Sequence, residues 1–179
     1  MCIRDSVYAL DQEYNLDSLI MATGFDAMTG TLLKIDIRGR DGLTLKEKWA
    51  EGPKGYLGLG ISGFPNFFMI TGPGSPSVLT NMMQSIEQHV DWVVACLEYL
   101  RTHNIAAIEA PQSAEDNWVA HNDAMADDHM RNSCSSWYVG GNIEGKPRVF
   151  MPYVGGFPLY VQKCNEVATQ NYLGFTLTP

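Results

Sequence analysis

The stretch Asn66-Phe67-Phe68-Met69-Ile70-Thr71-Gly72-Pro73-Gly74-Ser75-Pro76-Ser77 decides how the chain is read. Four apolar residues in succession, Phe67, Phe68, Met69 and Ile70, predict a short buried strand. The Thr71-Gly72-Pro73-Gly74-Ser75-Pro76 loop holds too much Gly and Pro for the interior of a helix or strand. From Asn81 to about His103 a helix is predicted, because Met82, Ile86, His89, Val90, Val93, Leu97 and Leu100 recur at helical spacing. Strand, glycine loop and helix, in that order, bring backbone N–H groups and the positive end of a helix to a ligand. The same order also serves as a plain strand-to-helix connection in an α/β domain.

Working outward, residues 14–21 (YNLDSLIM) predict a strand, with Leu16, Leu19, Ile20 and Met21 apolar and Asp17 and Ser18 at its outer edge. It runs into Ala22-Thr23-Gly24-Phe25-Asp26, where Gly24 has no side chain to keep backbone from a ligand. Leu33, Ile35 and Ile37 alternate up to an Arg38-Gly39-Arg40-Asp41-Gly42 turn, followed by Leu43, Leu45 and Trp49, so a small hairpin leaves the main sheet here. Arg38 and Arg40 are suited to a phosphate, but charges beside a turn are more often solvated. Residues 105–108 predict a further strand. A helix comes next, with Ser113 as its cap and Glu115 and Asp116 in its first turn, carrying Trp118, Ala120, His121, Met125 and Met130 toward Asn132. His121, Asp127, Asp128 and His129 do not have HExxH spacing and read as a solvated helix face, so no metal is expected. Trp137 and Tyr138 open a glycine turn, with Lys146 and Arg148 beyond it: a wall for cofactor or substrate, or else core. Residues 157–160 sit on a second Gly-Gly turn, and residues 161–172 predict a last helix closing on Gly174 and Phe175. Strands alternating with helices make the class α/β or α+β.

At 179 residues the chain has the size of one ordinary domain with a real core. With 45% hydrophobic and 18% charged residues it reads as a soluble globular protein. A net charge of −8 argues against nucleic acid or an anionic membrane as the main partner. No apolar run approaches the roughly 20 residues of a membrane span, and no signal peptide is recognisable. Cys2, Cys96, Cys134 and Cys164 lie far apart without a CxxC pair, which predicts reduced thiols in a cytoplasmic protein. Residues 1–6 (MCIRDS) do not join naturally to the segment beginning at Val7 and read as an artefactual or truncated leader. There is no GxGxxG opening a first strand, no Walker loop, no GxSxG and no Cys/His dyad with supporting spacing, so the residues alone predict a ligand-contacting part of an α/β domain and no reaction.

Several blocks carry a resemblance. Leu19-Ile20-Met21-Ala22-Thr23-Gly24-Phe25-Asp26-Ala27, Ile35-Asp36-Ile37-Arg38-Gly39-Arg40-Asp41-Gly42-Leu43 and the Phe64-to-Ser77 loop come first. Ser85-Ile86-Glu87-Gln88 and Ser136-Trp137-Tyr138-Val139-Gly140 come after them. In this order, from about Val7 onward, they resemble the closing part of a Baeyer–Villiger monooxygenase of the phenylacetone and cyclohexanone type. The resemblance implies an α/β fold, the C-terminal portion of a Rossmann-like flavoprotein with two dinucleotide-binding domains. Residues 7–30 would end the NADPH domain and form the return linker. Residues 31–179 would be the C-terminal part of the FAD-binding domain, with its substrate and NADP-closing loops. It implies FAD and NADPH as cofactors, a ketone and O2 as substrates, and an ester or lactone formed by way of a C4a-peroxyflavin.

Position by position, the resemblance implies that Ala22, Thr23, Gly24 and Asp26 pass beside the cofactors. Thr71, Gly72, Pro73, Gly74, Asn81 and Met82 would lie along the flavin. Ser77, Val78, Leu79, Met82 and Tyr138 would line the substrate pocket, and Trp137 would close over NADP⁺ with Tyr138; Asn142 and Lys146 belong to the same block. No catalytic residue is expected within these 179, since the family's catalytic arginine and its nucleotide-binding motifs would lie in a missing N-terminal part of the same protein. Two alternatives stay open: an N- or S-oxidising flavin monooxygenase, and a non-catalytic α/β ligand-binding module.

Overall fold

The computed structural model describes residues 6–22, 24–127 and 136–179. In chain order its elements are β1 (Ser6–Ala9), β2 (Gln12–Asn15), a single-turn α1 (Leu45–Lys48), α2 (Met82–Thr102), β3 (Ala107–Glu109), α3 (Gln112–Ala126), α4 (Phe157–Thr169) and β4 (Thr176–Thr178). Tight 3₁₀ turns at Ser77–Leu79 and Trp137–Val139 flank the region of interest.

The fold is built on α2. Asn81 caps it, its Oδ1 accepting the Met83 N–H at 3.1 Å. Ser85, His89, Trp92, Cys96 and Leu100 fall on one buried face at helical spacing. The helix stops at Asn104, whose φ of 56° reverses the chain so that the Ile105 N–H reaches back to the Leu100 carbonyl at 2.9 Å. On the buried face, α4 lies against α2, and the Trp92 indole donates to the Cys164 carbonyl at 3.0 Å. Leu57, Leu59, Ile108, Trp118, Tyr153, Tyr160 and Tyr172 complete this main core. A second cluster of Leu45, Trp49, Ile61, Phe64 and Met69 packs under α1.

Glu115, fully buried, clamps the two clusters together: it accepts the Ser62 N–H at 3.0 Å and pairs with Lys48 at 2.7 Å. The strands form two antiparallel pairs, β1 with β2 and β3 with β4. Helices and strands are thus both present, and the described residues hold no larger sheet.

Several elements differ from expectation. Residues 67–70 form no strand: Met69 N–H reaches Leu59 at 2.8 Å, but no ladder continues from it among the described residues, and Ile70 is exposed. A strand needs a partner to take up its alternate N–H and C=O groups, and none lies alongside. Of the strand expected over 14–21, only Tyr14 and Asn15 belong to β2; Leu19, Ile20 and Met21 are 58%, 87% and 72% exposed. The hairpin expected over residues 32–49 reduces to one bridge between Arg38 and Thr44, with α1 started by a Thr44–Glu47 capping box. Ser113 is not a cap, because α3 starts one residue before it with Pro111 at the N-cap. The strand expected at 105–108 is displaced to β3. The last helix begins at Phe157 rather than 161, with Pro158 in its first turn where a missing N–H costs nothing, and ends at Thr169. The predicted continuation of α3 past residue 127 lies outside the described residues, as do Thr23, Asp128, His129, Cys2 and Cys134.

Candidate functional site: a cavity between the glycine loop and the tryptophan turn

Three segments converge on the glycine loop. Gly74 N–H donates to the Met151 carbonyl and Tyr153 N–H to the Ser75 carbonyl, both at 2.8 Å, so residues 151–153 run beside the loop. Met151 N–H in turn binds the Tyr138 carbonyl at 2.9 Å, tying in the Trp137–Val139 turn. From the other side the Trp118 indole of α3 donates to the Gly74 carbonyl at 2.9 Å. Close approach sets the glycines: a Cβ on Gly72 would lie 2.7 Å from the Gly58 carbonyl oxygen, and one on Gly58 would lie 2.7 Å from the Ser75 nitrogen.

Between the loop, the start of α2 and the tryptophan turn lies a cavity of about 460 Å³. Its wall includes Met28, Phe67, Phe68, Thr71, Gly72, Ser77, Val78, Met82 and Trp137. A second cavity of about 340 Å³, lined by Val78, Leu79, Tyr138, Tyr153 and Phe157, lies across Val78, which faces both. Neither the Trp137 and Tyr138 rings, stacked at 4.1 Å, nor Ser77, whose hydroxyl donates to Met28 Sδ at 3.3 Å, brings a strong acid or base. Among the described residues the larger wall holds no Asp, Glu, His, Lys, Arg or Cys. Such a surface shapes, dries and orients a ligand and does no proton transfer of its own.

The expected site residues divide accordingly. Thr71, Gly72, Ser77, Val78, Met82 and Trp137 share the larger cavity, and Val78, Leu79 and Tyr138 the smaller. Pro73 and Gly74 turn inward, buried against α3 and residues 149–151. Asn81 is exposed and spent on its cap. Ala22 and Gly24 are exposed and line neither cavity. Asp26 pairs with Lys146, and the Asn142 amide donates to the Phe25 carbonyl at 2.9 Å, so the Gly24 segment is fastened to the turn after Trp137. Among the described residues no group of three His, Cys, Asp or Glu side chains converges as a metal set would.

The loop's amides are less available than its glycines promise. Gly74 and Ser75 spend theirs inside the fold, and the Thr71 N–H donates to His89 Nδ1 at 2.9 Å. Gly72 N–H alone of these is without a partner among the described residues. His89 is completely buried, and burial holds its pKa down at about 4, so the ring is neutral. Its Nε2 lies 2.7 Å from the Tyr160 hydroxyl, which donates to the Leu57 carbonyl at 2.5 Å. Burial pushes the Tyr160 phenol well above its ordinary value and the Cys96 and Cys164 thiols up to about 11. Sequence reading passed over this group: His89 merely fell in step with the apolar face of α2, and its partner is 71 residues away.

Comparison with known proteins gives the class first: the fold is that of part of a flavin monooxygenase. Residues covering 97% of this chain superpose on an oxidized steroid monooxygenase bound to NADP, with 49% identity and a TM-score of 0.86 over 32% of that chain. The OTEMO complex with FAD and NADP matches 94% of the chain at 38% identity and a TM-score of 0.85, over 31% of its own length. The acetone monooxygenase (methyl acetate-forming) of Gordonia sp. strain TY-5 is 42% identical over 166 residues, 92% of this chain and 31% of the relative. No protein-family model matches. The chain is homologous to a stretch of the Baeyer–Villiger monooxygenases, and spans about 30% of the length of the curated relatives it matches.

Proposed function

We propose that the chain is the C-terminal, flavin- and substrate-facing part of an FAD- and NADPH-dependent Baeyer–Villiger monooxygenase of the cytoplasm. Together with the rest of that polypeptide, it serves the insertion of one oxygen of O2 into a ketone to give an ester or lactone. The observation that carries this reading is the shared cavity of Thr71, Gly72, Ser77, Val78, Met82 and Trp137, free of acids and bases among the described residues and within the roughly 300–1,000 Å³ of small-molecule sites. FAD fits such a wall, which brings together Gly72 of the glycine loop, Met82 at the positive end of α2, and the apolar Phe67 and Phe68. Bound and reduced by NADPH, FAD supplies the activation of O2, chemistry that no side chain here provides.

This chain's residues do the rest. Val78 and Leu79 bound the ketone between the two cavities, Tyr138 and Phe157 exclude water from it, and Trp137 covers the nicotinamide cofactor. Residues 7–30 serve as the end of the NADPH domain and the return linker, with Asp26 and Lys146 fixing Gly24 beside the cofactors. Residues 31–179 serve as the FAD-domain part.

The test uses the full-length enzyme that carries this segment, comparing NADPH consumed with ester formed. Trp137→Ala is expected to uncouple the two at least several-fold while FAD content stays near one per protein; unchanged coupling removes Trp137 from the role. Leu79 and Met82 substitutions are expected to reorder ketone preference. Oxygen delivered to sulfides or amines, with no ester from any ketone, replaces the Baeyer–Villiger reading by the N- or S-oxidising one. A protein that folds without flavin and consumes no NADPH is a binding module instead.

A further inference from the structure

We infer that His89 and Tyr160 are positioning residues that set the Thr71 and Gly72 wall of the larger cavity through a directional hydrogen-bond relay. The inference rests on the flavin-site reading above.

The direction of the relay is set by its ends. A backbone N–H can only donate, so the Thr71 N–H at 2.9 Å makes His89 Nδ1 an acceptor and leaves the ring proton on Nε2. That proton is donated to the Tyr160 hydroxyl at 2.7 Å, which passes its own hydrogen to the Leu57 carbonyl at 2.5 Å. The Tyr160 hydroxyl also meets the Cys164 thiol one turn along α4, and both the His89 and Tyr160 side chains are wholly buried. A charged imidazolium has no place here, since its second N–H would face the Thr71 N–H; burial keeps the ring neutral.

What the relay holds is a strained residue. Thr71 has φ 55°, a left-handed conformation that a β-branched side chain adopts only when its surroundings impose it. The strain sits on the cavity wall, one residue before the loop amide that is unspent among the described residues. The far end of the relay meets the same wall again. Leu57 precedes Gly58, which is pressed so closely on Gly72 and Ser75 that neither glycine has room for a Cβ. Thr71, His89, Tyr160, Leu57, Gly58 and Gly72 therefore close a ring around the loop, and a shift of the imidazole moves the Gly72 amide. Tyr160 stands in the first turn of α4, whose Phe157 lines the smaller cavity, so the relay also links the two cavities.

The experiment compares Tyr160→Phe, His89→Gln and His89→Leu in the full-length holoenzyme. Measured are the thermal midpoint, FAD content, the visible spectrum and reduction potential of bound flavin, and amide hydrogen exchange of a peptide spanning residues 69–74. Tyr160→Phe keeps the ring and removes only the hydroxyl. It is expected to retain FAD, to shift the flavin spectrum and potential, and to speed exchange at Thr71 by about tenfold, the loss of roughly one hydrogen bond. His89→Gln can both accept and donate and is expected to restore most of the spectrum; His89→Leu is not. A lowered thermal midpoint with unaltered flavin spectrum and unaltered exchange in residues 69–74 overturns the proposal, because the pair is then core packing alone. Equal behaviour of His89→Gln and His89→Leu overturns it too. Absence of FAD from the unmodified enzyme overturns the flavin reading instead, and exchange at Thr71 still decides the relay.

Discussion

His89 shows how one buried side chain makes stability depend on pH. Its pKa is about 4 in the fold against 6.5 unfolded, because burial disfavours the charged ring. Between those values the unfolded chain takes up a proton that the native state refuses, so protons favour unfolding. The stabilisation is fully present above about pH 6.5 and is lost as pH falls toward 4. At 1.36 kcal/mol for each pKa unit, the loss reaches roughly 3 kcal/mol. Urea unfolding at pH 7.5, 5.5 and 4.5 is expected to show this decline in the native protein and a shallower one in His89→Gln. Parallel declines in the two proteins would place the proton uptake elsewhere. The two buried thiols behave oppositely: with pKa values raised to about 11, Cys96 and Cys164 carry almost no thiolate at neutral pH. Mass-mapped alkylation of the folded protein is expected to leave both unlabelled, and rapid labelling of either would mean that the α2–α4 seam opens.

At the scale of elements, what could be read in the sequence was whatever is encoded locally. Helix α2 was legible because its apolar positions recur over 21 residues and Asn81 stands where a cap belongs. The meeting of Thr71, Ser77, Val78 and Trp137 on one cavity was reachable only through resemblance, since Trp137 lies 60 residues beyond Ser77 and no spacing rule links them. Residues 67–70 misled because four apolar residues report burial and not pairing, and a strand exists only with a neighbour. Pro158 misled in the other direction: beside two glycines it reads as a turn, yet the first turn of a helix is where proline is tolerated best. Glu115 was legible only as an acid at a helix start, while in the fold it is the buried clamp between α3, the Ser62 amide and Lys48 of α1. Glu115→Ala leaves the Ser62 N–H without its carboxylate acceptor and takes the counter-charge from the largely buried Lys48 ammonium, which still donates to Gln112 Oε1 at 2.8 Å. The expected cost is about 3–5 kcal/mol in denaturant unfolding, with an unchanged slope against denaturant. Glu115→Gln, which still accepts from Ser62, is expected to cost less. A loss under about 1 kcal/mol for the alanine variant would mean that the clamp is solvated in solution.

For the molecule as a whole, the balance of buried and exposed apolar surface matters more than any single contact. Apolar side chains are buried in three clusters, yet Leu19, Ile20, Met21 and Phe25 are exposed, as are Met83, Val90, Val94 and Leu97 along the outer face of α2. The latter four recur at helical spacing, so they form a stripe and not scattered exceptions. Among the described residues the sheets are two isolated pairs with open edges, an arrangement of marginal stability by itself. The relatives are about three times this length, and surface of this kind is what further chain of the proposed enzyme would cover. A direct consequence concerns the 179 residues made as a separate polypeptide. Apolar stripes drive it to associate, while a net charge of −8 repels copies from one another. Repulsion is screened by salt and apolar attraction is not, so association is expected to grow as ionic strength rises from about 0.01 M to 1 M, where the screening length falls from roughly 30 Å to 3 Å. Light scattering and binding of a hydrophobic dye measure both. Val94→Lys with Leu97→Glu, a pair that leaves net charge unchanged, is expected to suppress association of the separate polypeptide. In the full-length enzyme the same pair is expected to lower FAD content and the thermal midpoint if further chain covers the stripe there. A separate polypeptide that stays monomeric and dark to the dye at 1 M salt would show that these side chains are content in water, and would remove the reason for a covering segment over α2.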